Sequence, residues 1–510
     1  MRPLRQPAEE KQLNNTTTIK KIKGAGFITC LFLCSVTWAQ STHDWIQHES
    51  LSRAYNLAFN LQVQEARVLL NEIKTPEQLY VASIADVLEL LVTEDEVKFE
   101  KYEDAYDERL VILEKIKPAT EASLFAIAEL RLQWAFTYLK FGHELDAAWN
   151  IRQAYLAVQE CRKKYPEFIP IQKSSGMLEI MLGSVPEKYQ WIMGLLNMQG
   201  SIDKGLAELE QVRSKSPSLY FETTLVYYLF QGFVLQQTEQ ALQGLEKELL
   251  SHTDNRLALF LGASLAIKNS NSARALTLLK KVNTQTTGVP IVYAGYQQGE
   301  VYLHKGEYDS SIMMYTRFLD KYRGRNYVKD AHYKIGICYW LSGKPEDAKK
   351  AFEHARIEGK ETTEADKYAA RSLAEQVYPH VKLSKLRYAT DGGYYEKANT
   401  ILSTITSGDL GSSKEKIELT YRKARLAHKT GSLQEAEKYY QEAIAQQGEA
   451  LWYFAPNACL QLGYLALERN KTEQAHQYFE KALRYKKHEY KNSIDSKAKS
   501  ALAQVKKKSE

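Results

Sequence analysis

Between Tyr293 and Leu483 the chain repeats one spacing of small, apolar and polar positions: a small residue, an apolar residue three on, a turn signal, then small, aromatic and small-or-apolar positions. The clearest copies read Gly336, Tyr339, Gly343, Ala348, Phe352, Ala355 and Gly463, Ala466, Asn470, Ala475, Phe479, Ala482. A third runs Gly299, Tyr302, Gly306, Ser311, Tyr315, Phe318, and a fourth Ala424, Ala427, Gly431, Ala436, Tyr440, Ala443. Spacings of three and four place such residues on one helix face, so each copy predicts two helices joined by a tight turn. The small residue lets one helix lie against its partner while the aromatic fills the gap. One such unit cannot cover its own apolar face and must stack on neighbours. The starts at 299, 336, 424 and 463 are 37, 88 and 39 residues apart. A half-matching unit at Gly392-Gly393, Ala398 and Leu402 bridges the long interval.

Worn copies precede the strong ones. Ala135, Tyr138, Gly142, Ala147, Ile151 and Ala154 keep every template position. Ala54, Leu57, Ala66, Leu70 and Ile73 keep most, and Gly262, Leu265, Ala275 and Leu279 fit with one residue added at the Asn269–Ser272 turn. The stretch from Ile169 to Leu209 is different: Gly176 to Pro186 leads into Trp191, Leu195, Leu196 and Met198, richer in large apolar residues than any repeat. Pro186 suits the first turn of a helix. The stretch predicts a buried central helix pair, with a ligand pocket lined by Met177, Met181, Trp191 and Met193 as the sharper alternative.

The strong units resemble tetratricopeptide repeats, whose period is roughly 34 residues, with the added residues falling in the turns between units. The fold this implies is all-α, a tetratricopeptide-like helix-turn-helix solenoid wound as a right-handed superhelix. Gly183-Ser184-Val185-Pro186, followed by Leu195-Leu196-Asn197-Met198-Gln199-Gly200-Ser201-Ile202-Asp203-Lys204-Gly205-Leu206, resembles the central signature of the inclusion-body-clearance and tetratricopeptide-repeat-domain thirty-nine proteins. Trp452-Tyr453-Phe454-Ala455-Pro456, Leu462-Gly463-Tyr464-Leu465 and Ala475 to Leu483 resemble that family's last repeat. The resemblance implies a non-enzymatic adaptor or scaffold with no catalytic residues to carry over.

Lys20, Lys21 and Lys23 precede an apolar run from Phe27 to Trp38 that ends Thr37-Trp38-Ala39, the order of a secretory signal peptide cut ahead of Gln40. That departs from the intracellular family. The expected location is periplasmic or secreted, with an uncleaved N-terminal membrane anchor as the alternative. No other segment is long and apolar enough to span a membrane, so the mature chain is expected to have no integral span. The chain divides into a signal peptide at 1–39, degenerate N-terminal helical repeats at 40–168, a central apolar helical region at 169–256, the tetratricopeptide-like array at 257–485 and a basic C-terminal capping helix at 486–510.

The formal charge of +6 falls close to neutral once the basic leader is removed, which argues against nucleic acid as a partner. Two charge runs, Glu94 to Glu108 and Lys486 to Lys508, predict solvated helix faces, the second capping the solenoid. Cys161, Cys338 and Cys459 are too few for a disulfide framework and predict small buried hydrophobes.

No phosphate-cradling glycine loop, His-Glu-x-x-His pair or Cys-x-x-Cys occurs, so no catalytic, cofactor-binding or metal-ligating residue is expected, and the chain is not expected to be an enzyme. What remains is binding. Within each strong unit a second helix face, away from the packing face, carries Tyr293, Tyr296, Glu300, Leu303; Asp330, Tyr333, Ile337, Trp340; Glu418, Tyr421, Arg425, His428; and Asn457, Leu460, Tyr464, Leu467. In tetratricopeptide arrays this face lines the concave groove. Tyr293, Tyr296, Glu300, Tyr333, Ile337, Trp340, Tyr421, Arg425, His428 and Tyr464 are the candidate partner-binding residues, and a protein or peptide is the expected partner rather than a small molecule. A subunit of an outer-membrane assembly or secretion machine, and a small-ligand protein or enzyme built on the Met/Trp-rich centre, are the alternatives.

Overall fold

The structure, a computed structural model, describes residues 44–70, 74–184, 200–375 and 377–509. The expected signal peptide, Ile73, and the part of the central signature from Val185 to Gln199, with Pro186, Trp191 and Met193, lie outside the described residues. Among the described residues there are α-helices and short 3-10 turns and no strand.

Helices begin where side chains can satisfy free backbone donors and end where the chain can turn sharply. Thr75 and Gln78 form a capping box ahead of Pro76, and Thr120 with Ser123 and Ser412 with Glu415 do the same. The predicted turn glycines Gly142, Gly306, Gly343 and Gly431 all hold left-handed backbone, with φ of 86°, 76°, 79° and 83°. That conformation costs glycine nothing.

The N-terminal region holds α1 (Glu49–Phe59), α2 (Val63–Leu69), α3 (Pro76–Thr93), α4 (Glu96–Glu114), α5 (Glu121–Phe141) and α6 (Glu144–Lys164). Next come α7 (Ile171–Gly183), α8 (Ile202–Lys215), α9 (Tyr220–Phe233), α10 (Thr238–Ser251), α11 (Arg256–Lys268) and α12 (Ser272–Thr284). The repeat array supplies α13 (Tyr293–Lys305), α14 (Tyr308–Lys321), α15 (Val328–Leu341), α16 (Pro345–Ile357), α17 (Glu364–Glu375), α18 (Val381–Asp391) and α19 (Tyr395–Ser403). The chain ends with α20 (Ser413–Lys429), α21 (Leu433–Gln447), α22 (Phe454–Glu468), α23 (Thr472–Arg484) and α24 (Lys491–Ser509). Each strong unit is the expected helix pair: α13 on α14, α15 on α16, α20 on α21 and α22 on α23. The long interval holds one helix more than the half-matching unit predicts, because α17 precedes the α18–α19 pair and packs on α15.

The small-to-aromatic contact is tighter than the sequence suggests. A Cβ added at Gly336 would lie 2.5 Å from the Phe352 ring, at Gly463 2.4 Å from Phe479 and at Gly299 2.7 Å from Tyr315. Even alanine at Gly336 or Gly463 meets a packed ring there. The central pair is closer still: α7 and α8 cross backbone to backbone, where a Cβ on Gly176 would lie 2.7 Å from the Gly205 carbonyl oxygen. Met177 is buried in this core and Met181 packs at its edge.

One contiguous apolar core runs from Trp45 to Val301, whereas the helices from α13 onward divide among smaller clusters of adjacent units. That division is what stacked repeats give, each contacting its neighbours. Cys161, Cys338 and Cys459 are free and buried, and burial pushes each thiol up to about 12.

Glu94 corrects the expectation of a solvated acidic run. It is buried, pairs with Lys140 at 2.5 Å and accepts a hydrogen bond from Asn326 Nδ2 at 2.6 Å, tying the turn before α4 to the turn before α15. The basic end is likewise more than a solvated cap. Ile494, Ala498, Ala501 and Val505 of α24 are buried against the last repeat. No helix among the described residues is long and apolar enough to cross a membrane.

Candidate functional site

The second helix face of each unit forms as the spacing requires, but its aromatic rings are largely consumed by packing within and between units. Tyr296, Tyr333, Ile337 and Tyr421 are buried, while Tyr293, Glu300, Trp340, Arg425, His428 and Tyr464 are half-buried. Tyr293 stacks on Tyr296 with ring centroids 5.1 Å apart, and Tyr333 packs on Phe352. Tyr421 sits against Phe454, and Tyr464 meets Phe479 edge to face. The Trp340 indole N–H donates to the Pro379 carbonyl at 2.8 Å.

Polar groups fill the space the rings leave. Tyr296 Oη donates to Asp330 Oδ2 at 2.5 Å and accepts from Lys334 Nζ at 2.8 Å, and Lys334 also pairs with Glu300 at 2.6 Å. This group borders a cavity of about 240 Å³ whose far wall is Arg387, Tyr388 and Asp391 of α18. A second cavity of about 270 Å³ opens between Arg387, Arg422, Arg425 and Lys497, with Tyr421 and Tyr453 beside them. Arg387, Asp391 and Tyr490 border both.

Helical spacing explains this convergence. Arg387 and Asp391 are four apart on α18, Arg422, Arg425 and Lys429 fall at three and four on α20, and Asn457 and Gln461 are four apart on α22. Lys497 comes from α24.

Cations dominate the second cavity. Arg387 Nε lies 3.6 Å from Asp391 Oδ2, and Arg422 pairs with Glu418 at 2.8 Å while donating to Tyr453 Oη at 2.8 Å. Arg425 donates to the Gln461 amide oxygen at 3.1 Å. Among the described residues, neither Arg425 nor Lys497 has a carboxylate within salt-bridge distance. Burial would raise the Asp391 carboxyl, yet Arg387, Arg422 and Arg425 outweigh it and hold the group below its usual range. Burial and then Arg425 lower the Lys497 ammonium, and the same two causes lower Lys429. His428, whose Nδ1 is 3.2 Å from Tyr440 Oη, is held down to about 4 by burial and then by Arg425 and Lys429.

The candidate face therefore contributes Glu300 and Tyr333 to one cavity and Tyr421 and Arg425 to the other. Sequence reasoning missed Lys334, Arg387, Tyr388, Asp391, Arg422, Tyr490 and Lys497. The Arg387/Asp391 and Arg422/Arg425 spacings were signals of shared faces. Nothing in the sequence places Tyr490 and Lys497 against them, since that contact depends on how α24 docks.

Residues 293–324 and 330–358 match one tetratricopeptide-repeat family, and residues 417–448 and 456–489 match another. The fold is an all-α, tetratricopeptide-like solenoid. No curated protein matches the chain. Among solved structures it is similar to the apo form of the quorum sensor NprR from B. thuringiensis, at 12% identity over 78% of this chain and 98% of that one, with a TM-score of 0.29. It is also similar to the human IFIT1 dimer with m7Gppp-AAAA, at 14% identity over 86% and 96%, TM-score 0.31. It is likewise similar to the Cut9–Hcn1 hetero-tetramer of the APC/C, at 10% identity over 90% and 96%, TM-score 0.27.

Proposed function

We propose that this chain is a non-enzymatic scaffold that holds a polypeptide partner along the inner helix faces of its repeat array, after export through its N-terminal segment. The observation that carries the reading is the array itself: tetratricopeptide repeats whose second helix faces present half-buried Tyr293, Trp340, His428 and Tyr464. Aromatic residues of this kind are rigid and amphipathic, which suits them to anchor a partner. The likeness of the central and C-terminal segments to the inclusion-body-clearance family supports an adaptor role. The basic, apolar and small-residue order of Lys20 to Ala39 supports export.

Crosslinking in intact cells followed by mass spectrometry identifies the partner. Replacing Trp340 and Tyr464 with alanine is then expected to weaken that partner's binding about tenfold or more, with circular dichroism showing the fold retained. A folded double variant that binds at full affinity removes the inner face from the reading. Intact-mass analysis of the mature protein is expected to show Gln40 at its start, and a chain that keeps Phe27 to Trp38 defeats the export claim.

A further inference from the structure

The cavity between α18, α20, α22 and α24 contains charge that the protein itself does not balance. Four cations border it, Arg387, Arg422, Arg425 and Lys497, and two of them have carboxylate partners, Arg387 in Asp391 and Arg422 in Glu418. Arg425 and Lys497 are left facing a space of about 270 Å³, large enough for a small solute. Side chains that only cap a helix stack would point such charges outward to water, since burying an unpaired cation is costly. Here they come from different helices and converge.

We propose that this cavity is a binding site for a multiply charged oxyanion of the phosphate class. Counting charges selects the class: a surplus of two cations matches a phosphate group, which carries about −1.5 to −2 near neutral pH, whereas a single carboxylate leaves one cation unmatched. Guanidinium geometry agrees, because its planar fork donates two parallel hydrogen bonds to a tetrahedral or planar oxyanion. The electrostatics of the neighbourhood point the same way. Lys268 is lowered to about 8, first by burial and then by Lys497, so the surplus reaches a further helix, α11. The site does not depend on a polypeptide partner lying along the inner face, and its test needs none.

The purified full chain is titrated with inorganic phosphate, phenyl phosphate and acetate at constant ionic strength, reading heat of binding and Tm. Saturable phosphate binding with a rise in Tm, and no saturable acetate binding, is the expected result. R425Q and K497Q are each expected to weaken phosphate at least tenfold, whereas K344Q, at an exposed lysine paired with Asp309, leaves it unchanged. Phenyl phosphate distinguishes the source of the anion: tighter binding than phosphate assigns an ester whose ring meets Tyr421 and Tyr453, and equal binding assigns the free ion. Equal effects of acetate and phosphate, unchanged affinity in both variants, or no binding of either phosphate overturns the proposal. Tm in chloride alone reports whether each variant is folded, and either one suffices for the test.

Discussion

Two charge clusters, one in each half of the chain, differ in how their cations are partnered. In the N-terminal half Lys173, fully buried, pairs with Glu222 at 2.6 Å and with Glu129, while Ser174 Oγ donates to Glu129 at 2.6 Å and Tyr55 Oη to Glu222 at 2.9 Å. Burial would lower the Lys173 ammonium, but Glu129 and Glu222 outweigh it and raise it. One cation lies there between two carboxylates, each in contact with it. In the C-terminal half Arg425 and Lys497 lack carboxylates and face open space. The first arrangement fixes how helices pack, and the second leaves a surplus for something else to neutralise. Buried charge alone does not mark a site, whereas cations without a carboxylate partner beside a cavity do.

Removing a cation should therefore have opposite consequences in the two places. Lys173→Met leaves Glu129 and Glu222 buried without their cation, and a broken buried pair costs about 3–5 kcal/mol. Urea unfolding of the parent and variant measures it, and adding Glu129→Gln to Lys173→Met should recover part of the loss. A Lys173→Met variant as stable as the parent shows that the cluster is not held by charge.

Backbone contacts differ between the halves as well. Gly336→Leu forces a large side chain into the Phe352 ring and should cost about 1–3 kcal/mol, with Gly336→Ala nearer the lower end. Gly205→Ala should exceed Gly336→Ala, since its Cβ would lie 2.5 Å from the Gly176 carbonyl oxygen, and a backbone cannot swing aside as a ring can. Equal losses at Gly205 and Gly336 in thermal unfolding erase this distinction.

The repeats were legible because their contacts are local: a small residue at 299, 336, 424 or 463 meets an aromatic sixteen positions on, at 315, 352, 440 or 479, and a single turn fixes that geometry. The second helix face was legible for the same reason, but its burial was not. Whether Tyr296 and Tyr333 face water depends on how closely successive helices wind, and here Asp330 and Tyr368 from the helices that follow cover them. The Lys173 cluster was illegible because its members, Tyr55, Glu129, Lys173 and Glu222, belong to helices brought together by topology alone. Lys497 read as one more residue of a basic tail until α24 was placed beside Arg425.

Acid should separate the halves more gently. His332, stacked on His354 at 4.6 Å, is lowered to about 4 by burial and then by His354, and His428 is lowered to a similar value. Their unfolded values are near 6.5, so between pH 6.5 and 4 the unfolded chain binds more protons and stability falls as pH drops. In the N-terminal half burial would raise Glu89, but hydrogen bonds from Lys98, Arg67 and Tyr102 lower it. Its contribution is present above 4.5 and lost as pH falls through the lower folded value. Corrected for the intrinsic exchange rate, hydrogen-exchange protection at pH 5 should fall first in α15 and α20, with α3 and α4 still protected. Faster exchange in α3 at that pH reverses the assignment.

The smallest effect is expected at Lys497. Glutamine there removes a cation repelled by Arg425 and Lys268 and breaks no ion pair among the described residues, so stability in chloride should rise slightly, within about 1 kcal/mol. Screening gives a second reading of the same repulsion, because added salt weakens like-charge interactions over a Debye length of about 10 Å at 0.1 M. The parent should therefore gain more Tm than K497Q as sodium chloride is raised from low concentration. A K497Q variant that loses more than about 1 kcal/mol, as Lys173→Met does on a larger scale, makes Lys497 a packed and satisfied residue like its N-terminal counterpart. The contrast between a paired staple and an unpaired cavity then collapses.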